Sequence, residues 1–327
     1  MRVLVTGAGG YIGSIASEQL IAAGHHVVAL DSFERGHRAA VHPDAEIATV
    51  DLRDGVATGN AVRDARPDAI MHFAALHLVP ESVEKPADYY RTNVIGGLHL
   101  LDAARQYGIG RFVFSSTAAV YGEPEASPIP ENAPKVPINP YGRSKWMVEQ
   151  MLADYSGRYG INYAAFRYFN VAGASERFGE DHRPETHVIP IALQTLMGQR
   201  EVFRLFGTDY PTEDGTAVRD YVHVVDLADA HILALEHLSS SSLGAINLGT
   251  EGGYSVRQIA DAVERVIGRA LPVQEAPRRA GDPAALVANP ARAKSVLGWN
   301  PVQSSLDEMI ASAWSWMQAH PHGYPDE

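Results

Sequence analysis

The opening of this chain constrains its fold more than any other segment. An apolar run, Val3-Leu4-Val5, feeds directly into Thr6-Gly7-Ala8-Gly9-Gly10-Tyr11-Ile12-Gly13. Gly7, Gly10 and Gly13 lack side chains where a chain leaving a strand must turn sharply into a helix. Bare backbone N–H groups in such a turn can approach a pyrophosphate. The helix that follows adds the positive end of its dipole. The spacing is G-x-x-G-x-x-G, so the strand before and the helix after carry the reading rather than the triplet itself. Val27-Val28-Ala29-Leu30, Ile70-Met71-His72-Phe73, Phe112-Val113-Phe114 and residues 164–169 read as further buried parallel strands. Residues 14–23, residues 93–107 and a segment starting near Tyr141 read as the helices between them. Strands alternating with helices predict an α/β fold built on a doubly wound parallel sheet.

Two further features give that sheet a chemistry. Asp31 ends the second strand, 18 residues after Gly13. An acid about 20 residues beyond such a loop is placed to bond the adenosine ribose hydroxyls. A carboxylate there repels a 2′-phosphate, which favours NAD over NADP, although Arg35 nearby is of the type that accepts that phosphate. Asp51 and Leu52, at the end of the next predicted strand, are candidates to flank the adenine. Tyr141 and Lys145 stand four residues apart, on one face of a helix whose first turn suits Pro140. A free phenol has a pKa of about 10 and is a poor base at neutral pH, but a nearby ammonium favours its ionised form. Y-x-x-x-K alone is common on helix surfaces. The context comes from Ser115-Ser116-Thr117, hydroxyls gathered at the C-terminal end of a strand, where open α/β sheets bind ligands. A hydroxyl there can bridge a substrate oxygen and the tyrosine.

Beyond residues 170–175 the pattern changes. Gly, Pro and charged residues become frequent, as in Gly179-Glu180-Asp181-His182-Arg183-Pro184. We expect a dinucleotide-binding domain over residues 1–174, to which residues 217–250 return, and a smaller mixed α/β substrate-binding portion over 175–327. The 327 residues carry a net charge of −12, which argues against a nucleic-acid or anionic-membrane surface. There is no cysteine, and so no disulfide or thiolate chemistry. No apolar run reaches the roughly 18 residues needed to span a bilayer, and the N-terminus shows no signal pattern. The expected location is cytoplasmic. The 14 histidines show no paired-ligand spacing with acids, so no metal site is expected.

With these residues in view the chain resembles the extended short-chain dehydrogenase/reductase family and, within it, the UDP-glucose 4-epimerases. The resemblance runs over essentially the whole chain. Its specific stretches are residues 9–14, 72–75, 115–122, 141–147 with Glu149-Gln150, 167–170, 210–222 and 276–282, and the tail from His320 to Asp326 also fits. It implies a Rossmann-type sheet and a redox-neutral reaction with firmly held NAD. In that reaction Tyr141 takes the proton of the sugar 4-hydroxyl, assisted by Thr117, and C4 inverts through a 4-keto sugar. It implies that Lys145 bonds the nicotinamide ribose and lowers the pKa of Tyr141. Further cofactor contacts fall on Gly7, Gly10, Tyr11, Ile12, Gly13, Asp31, Asp51, Leu52, Phe73, Ala74, Ala75, His77, Asn93, Ser115, Tyr168 and Phe169. Substrate contacts fall on Thr117, Tyr141, Asn170, His187, Phe206, Arg219, Arg279, Asp282 and Leu286.

The chain departs from the family pattern at three of these positions. His77 stands where close relatives often carry a lysine, and His187 where some carry an asparagine. Leu286 stands where some carry tyrosine and broad-specificity members a smaller residue, so UDP-N-acetylhexosamines stay open as substrates. Epimerases of UDP-xylose/arabinose or UDP-glucuronate are the closest alternatives. Ala118 and Ala119 replace the acids that dehydratases and decarboxylases of the same fold use. The resemblance also implies a homodimer, formed through residues 87–107 and 141–159 as a four-helix bundle.

Overall fold

The computed structural model describes residues 1–278 and 283–325. Its centre is a seven-stranded parallel sheet of β1 (Arg2–Thr6), β2 (His26–Asp31), β3 (Glu46–Thr49), β4 (Ala69–His72), β5 (Arg111–Thr117), β6 (Asn162–Tyr168) and a late strand, Gly244–Leu248. Its spatial order is late strand, β6, β5, β4, β1, β2, β3. The inner strands β1, β2, β4, β5 and β6 are nearly sealed from water at their centres, as Val3, Leu4, Ile70, Met71, Phe112 and Val113 are, whereas the edge strand β3 is largely exposed. Helices cover both faces, which is why these strands read as continuous apolar runs rather than alternating ones.

The order of connection reverses between β1 and β4, since β1 leads outward to β2 and β3 while β4 leads the other way. Such a switch point opens a crevice at the carboxyl ends of the strands. Helix α1 (Tyr11–Ala22) starts at that crevice. Around the sheet lie α2 (Gly55–Ala65), α3 (Val79–Glu84), α4 (Pro86–Tyr89), α5 (Gly96–Gln106) and α6 (Pro140–Tyr159). Asn139 caps α6 by accepting from Gly142 N at 2.8 Å, and Gly160 ends it in a left-handed turn. The sequence expectation of one helix over 93–107 is modified: Tyr90–Ile95 forms a π-helical turn that leads into α5. Thr117 closes β5, so the three hydroxyl residues belong to the strand itself. β3 ends at Thr49, two residues before Asp51.

The later residues build short strands: β7 (Asn170–Ala172), β8 (Phe203–Phe206), β9 (Val218–Arg219), β10 (Tyr221–His223), β11 (Gly244–Leu248, the late strand of the main sheet), β12 (Tyr254–Ser255), β13 (Val273–Ala276) and β14 (Ala285–Leu286). They form three small sheets beside the large one. Helices α7 (Val188–Leu196), α8 (Val224–His237), α9 (Val256–Ile267), α10 (Ala291–Leu297) and α11 (Leu306–Ala319) complete the chain. A separate apolar core joins α7, α9 and α11 through Ile189, Leu193, Ile259, Val263, Ile310 and Trp316.

Candidate active site

The glycine turn has the shape of a backbone cradle. Gly7 sits at φ +72°, and a Cβ on it would lie 2.6 Å from Ala74 N. A Cβ on Gly13 would lie 2.1 Å from Gly7 O. Gly10 is the N-cap of α1 and carries no side-chain cap, so the first N–H groups of the helix face the crevice. Asp31 is buried at the end of β2, where it accepts from Gly9 N at 2.9 Å and Phe33 N at 2.8 Å. Burial raises its pKa, and these N–H donors act against that. A carboxylate offers about four acceptor sites, so Asp31 retains capacity for a ribose. Tyr11 opens α1 and donates its hydroxyl to Gly173 O at 2.6 Å, while Ile12 is half-buried between the two larger cores.

The opposite wall comes from the end of β4. Phe73 N and Ala74 N both donate to Thr6 O, at 3.0 and 3.1 Å, and Ala75 follows. Asn93 accepts from Leu76 N at 2.9 Å and donates to Leu76 O and Ser144 Oγ, each at 3.0 Å. It thereby pins this wall to α6. Leu52 is buried in the core beneath, whereas Asp51 is partly exposed and paired with Arg53 at 2.7 Å. The Arg53 guanidinium holds the Asp51 carboxyl below its ordinary value.

At the carboxyl end of β5 the proton-transfer groups meet. Tyr141 is hydrogen-bonded to Thr117, and Lys145 donates to Ser115 O at 2.8 Å. Burial raises the Tyr141 pKa and the Thr117 bond opposes it, while burial pushes Lys145 down to about 7. Both shifts have one cause, since a low-dielectric site penalises each charged form. Tyr168, also buried, is hydrogen-bonded to Ser115 and to His231 Nε2. Phe169 N donates to Leu248 O at 3.3 Å.

The remaining substrate candidates come from the later residues. Asn170 Nδ2 donates to Asp220 O at 3.1 Å. Arg219 stands in register beside Leu286 across the β9–β14 pair, and Phe206 ends β8. Arg279 and Asp282 lie outside the described residues. His187 is the N-cap of α7; its Nδ1 lies 2.6 Å from Glu180 Oε1 and 3.0 Å from Glu185 Oε1. Those carboxylates raise its pKa well above the ordinary value, against burial. His77 Nε2 is buried without a hydrogen-bond partner.

Sequence reasoning found no acids paired with histidines, and here the structure corrects it. The ligand-type atoms of Glu180, His182, Glu185 and His187 lie within 4.8 Å of one another. Each imidazole already bonds a carboxylate, His182 to Glu180 at 2.9 Å and His187 to Glu180 at 2.6 Å. Also missed was a buried network behind the hydroxyl residues. Ser116 donates to Glu149 Oε1, and Arg167 donates to both Glu149 oxygens, at 3.0 and 2.6 Å. Arg167 further donates to Tyr121 Oη at 2.9 Å. Glu149 stands one helical turn after Lys145, and Arg167 is a lone charge in an apolar strand. Those were the available signals.

A parallel sheet with a glycine cradle at its switch point and a Tyr–Thr–Lys set at the end of β5 describes a cofactor-dependent site. Residues 3–249 match the NAD dependent epimerase/dehydratase family. The chain belongs to that family. A UDP-glucose 4-epimerase of Lacticaseibacillus casei is 47% identical over 329 residues, covering 100% of this chain and 99% of its own. The structure of UDP-glucose 4-epimerase from Brucella ovis in complex with NAD is 46% identical, with a TM-score of 0.92, covering 96% of this chain and 97% of that one. The enzyme from Bifidobacterium longum in complex with NAD⁺ and UDP is 35% identical, with a TM-score of 0.94, covering 99% of this chain and 100% of that one. The epimerase/dehydratase fold is therefore shared along the whole length. No helix among the described residues is long and apolar enough to cross a membrane.

Proposed function

We propose that this protein is an NAD-dependent 4-epimerase that interconverts UDP-glucose and UDP-galactose. The observation that carries the reading is the junction of Tyr141, Thr117 and Lys145 at the end of β5, beside a cradle that only glycines can form. The residues fit NAD. The uncapped start of α1 would take the pyrophosphate, Asp31 one ribose and the buried Lys145 the second ribose. The bound cofactor would accept the C4 hydride and return it to the other face of the sugar.

The chain's own residues move the proton. Tyr141 accepts it from the 4-hydroxyl and later gives it back, and Thr117 orients the phenol. Burial raises the pKa of the phenol, and positive charge nearby, such as an oxidised nicotinamide would bring when bound, favours its base form. Lys145 is buried and held by a strand carbonyl, so its role is to position ribose and phenol together. Asn170, His187, Phe206, Arg219, Arg279, Asp282 and Leu286 are assigned to the UDP-sugar. Arg219 suits the diphosphate because guanidinium bonds phosphate oxygens bidentately. Asp51 and Leu52 are assigned to the adenine side, and Phe73, Ala74, Ala75, His77, Asn93, Ser115, Tyr168 and Phe169 to the rest of the cofactor.

Residues 1–174, with 217–250, would form the cofactor-binding part and 175–327 the sugar-nucleotide part. We further infer a homodimer through the helices within 87–107 and α6. Ile95, Met147 and Tyr159 are exposed apolar residues on those helices. A cytoplasmic location fits the lack of cysteine.

The deciding experiment is NMR of purified protein with UDP-galactose and no added cofactor. Appearance of UDP-glucose supports both the reaction and retained NAD. No conversion, even after NAD⁺ is added, would overturn the substrate assignment.

A further inference from the structure

Three imidazole rings lie in contact between the two parts of the site just described. His182 lies 4.6 Å, centroid to centroid, from His77 on one side and 5.3 Å from His187 on the other. His77 follows β4 at the cofactor crevice, and His187 caps α7 on the substrate side. His182 belongs to the segment between β7 and α7, and its ring also meets Tyr11, the first residue of α1, edge-on at 6.2 Å. It therefore stands between the starts of two helices, α1 and α7, neither of which has a side-chain cap.

Two observations make this more than packing. The buried Nε2 of His77 has no partner within the protein, a state that costs free energy unless something else satisfies it. One carboxylate oxygen, Glu180 Oε1, serves both neighbours, at 2.9 Å from His182 and 2.6 Å from His187. Glu180 is almost fully buried, so it cannot exchange these partners for water. His187 meets Glu180 and Glu185 through Nδ1 alone, so an anion bonded to its other nitrogen strengthens the Nδ1 donor and changes how Glu180 Oε1 is shared with His182. The ring of His182 in turn packs directly against that of His77.

We propose that His182 is a positioning residue that couples the substrate diphosphate to the pyrophosphate of NAD, so that occupancy of one anionic site tightens the other. The proposal rests on the epimerase reading above, because it assigns His77 to the cofactor and His187 to the substrate. Linkage makes the coupling reciprocal: UDP slows NAD release by the same free energy with which NAD strengthens UDP binding.

The test uses the holoenzyme with UDP as the probe. NAD release is followed by trapping the freed cofactor with an excess of a scavenging dehydrogenase, with and without saturating UDP. The ratio of the two rates is the readout, and a general loss of stability does not by itself abolish it. In the native protein UDP should slow release on the order of tenfold. In His182→Ala, and independently in Glu180→Gln, which removes the shared counter-charge, the ratio should fall below about twofold. A native ratio near one overturns the proposal, as does a native-like ratio in both variants. UDP-galactose conversion is measured on the same native sample. Conversion without a UDP effect overturns the coupling alone, whereas neither conversion nor bound NAD overturns the epimerase reading itself.

Discussion

Lys145 donates to the carbonyl oxygen of Ser115 at 2.8 Å, while Thr117, two residues further along the same strand, bonds Tyr141. One strand end thus fixes both members of a pair that stand four residues apart on α6. The bond holds the lysine away from the protein surface, and burial brings its pKa to about 7. The pair is preorganised by the backbone of β5 rather than by attraction between phenol and ammonium.

If Tyr141 carries the proton, Tyr141→Phe removes only the hydroxyl from a buried ring. Turnover should fall by roughly 10²–10⁴-fold, the usual share of general acid–base catalysis. NAD should remain bound, as its absorbance on the purified protein would show. Turnover near that of the native protein would rule out this tyrosine as the base.

The glycine cradle predicts a separate phenotype. Gly13→Ala places a methyl 2.1 Å from Gly7 O, a backbone atom that cannot turn aside. The variant should purify with little or no NAD, measured by cofactor content after denaturation. A full complement of NAD would show that the cradle is not where the cofactor sits.

Glu149 and Arg167 form an ion pair whose side chains are 4% and 2% exposed. Glu149→Gln keeps the shape and leaves Arg167 charged and buried. Loss of one partner of such a pair costs about 3–5 kcal/mol. The urea midpoint should drop accordingly, and turnover should fall as well because Ser116, next to Thr117, keeps only a neutral amide acceptor in place of the carboxylate. An unchanged midpoint would mean that water reaches the pair.

Three buried histidines make stability depend on pH. Burial lowers the pKa of His72 to about 3 and those of His223 and His231 to about 4. The unfolded chain takes up these protons near pH 6.5 and the native protein does not. Their stabilisation is therefore full above about pH 6.5 and is lost as pH falls toward 4. Each histidine contributes a slope of up to about 1.4 kcal/mol per pH unit across that window. Denaturant melts at pH 7 and pH 5 should show a marked loss at the lower value. Equal stability at both would show that these rings are protonated in the native protein.

Leu286 is half-buried and adjoins Arg219, the proposed diphosphate contact. Leu286→Ala removes bulk from that wall. The variant should raise kcat/KM for UDP-N-acetylgalactosamine relative to UDP-galactose by about tenfold or more, as expected for a single methylene in a pocket. An unchanged ratio would place the 2-substituent elsewhere.

The sheet was legible because its strands are buried on both faces, and a continuous apolar run between helices has few other places to go. The glycine turn was legible because Gly7 and Gly13 permit what no side chain does, a positive φ at one and direct backbone contact at the other. Tyr141 and Lys145 were legible as a pair because helical spacing places i and i+4 on one face. Less was visible past residue 170, where strands of two to four residues pair with partners far along the chain, as Phe203–Phe206 does with Val273–Ala276.

The sequence by itself determined the alternation that builds the sheet, the site of the cradle and the residue types that perform the chemistry, since each depends on local spacing. The tertiary structure alone decided the electrostatics. It turned Lys145 to a strand carbonyl, buried Glu149 against Arg167, and packed His182 between His77 and His187 with Glu180 bonded to both His182 and His187. The pairs Lys145–Ser115, Glu149–Arg167 and His77–His182 lie 18 to more than 100 positions apart. Charge depends on burial and on neighbours in space, and neither is written in the order of the residues.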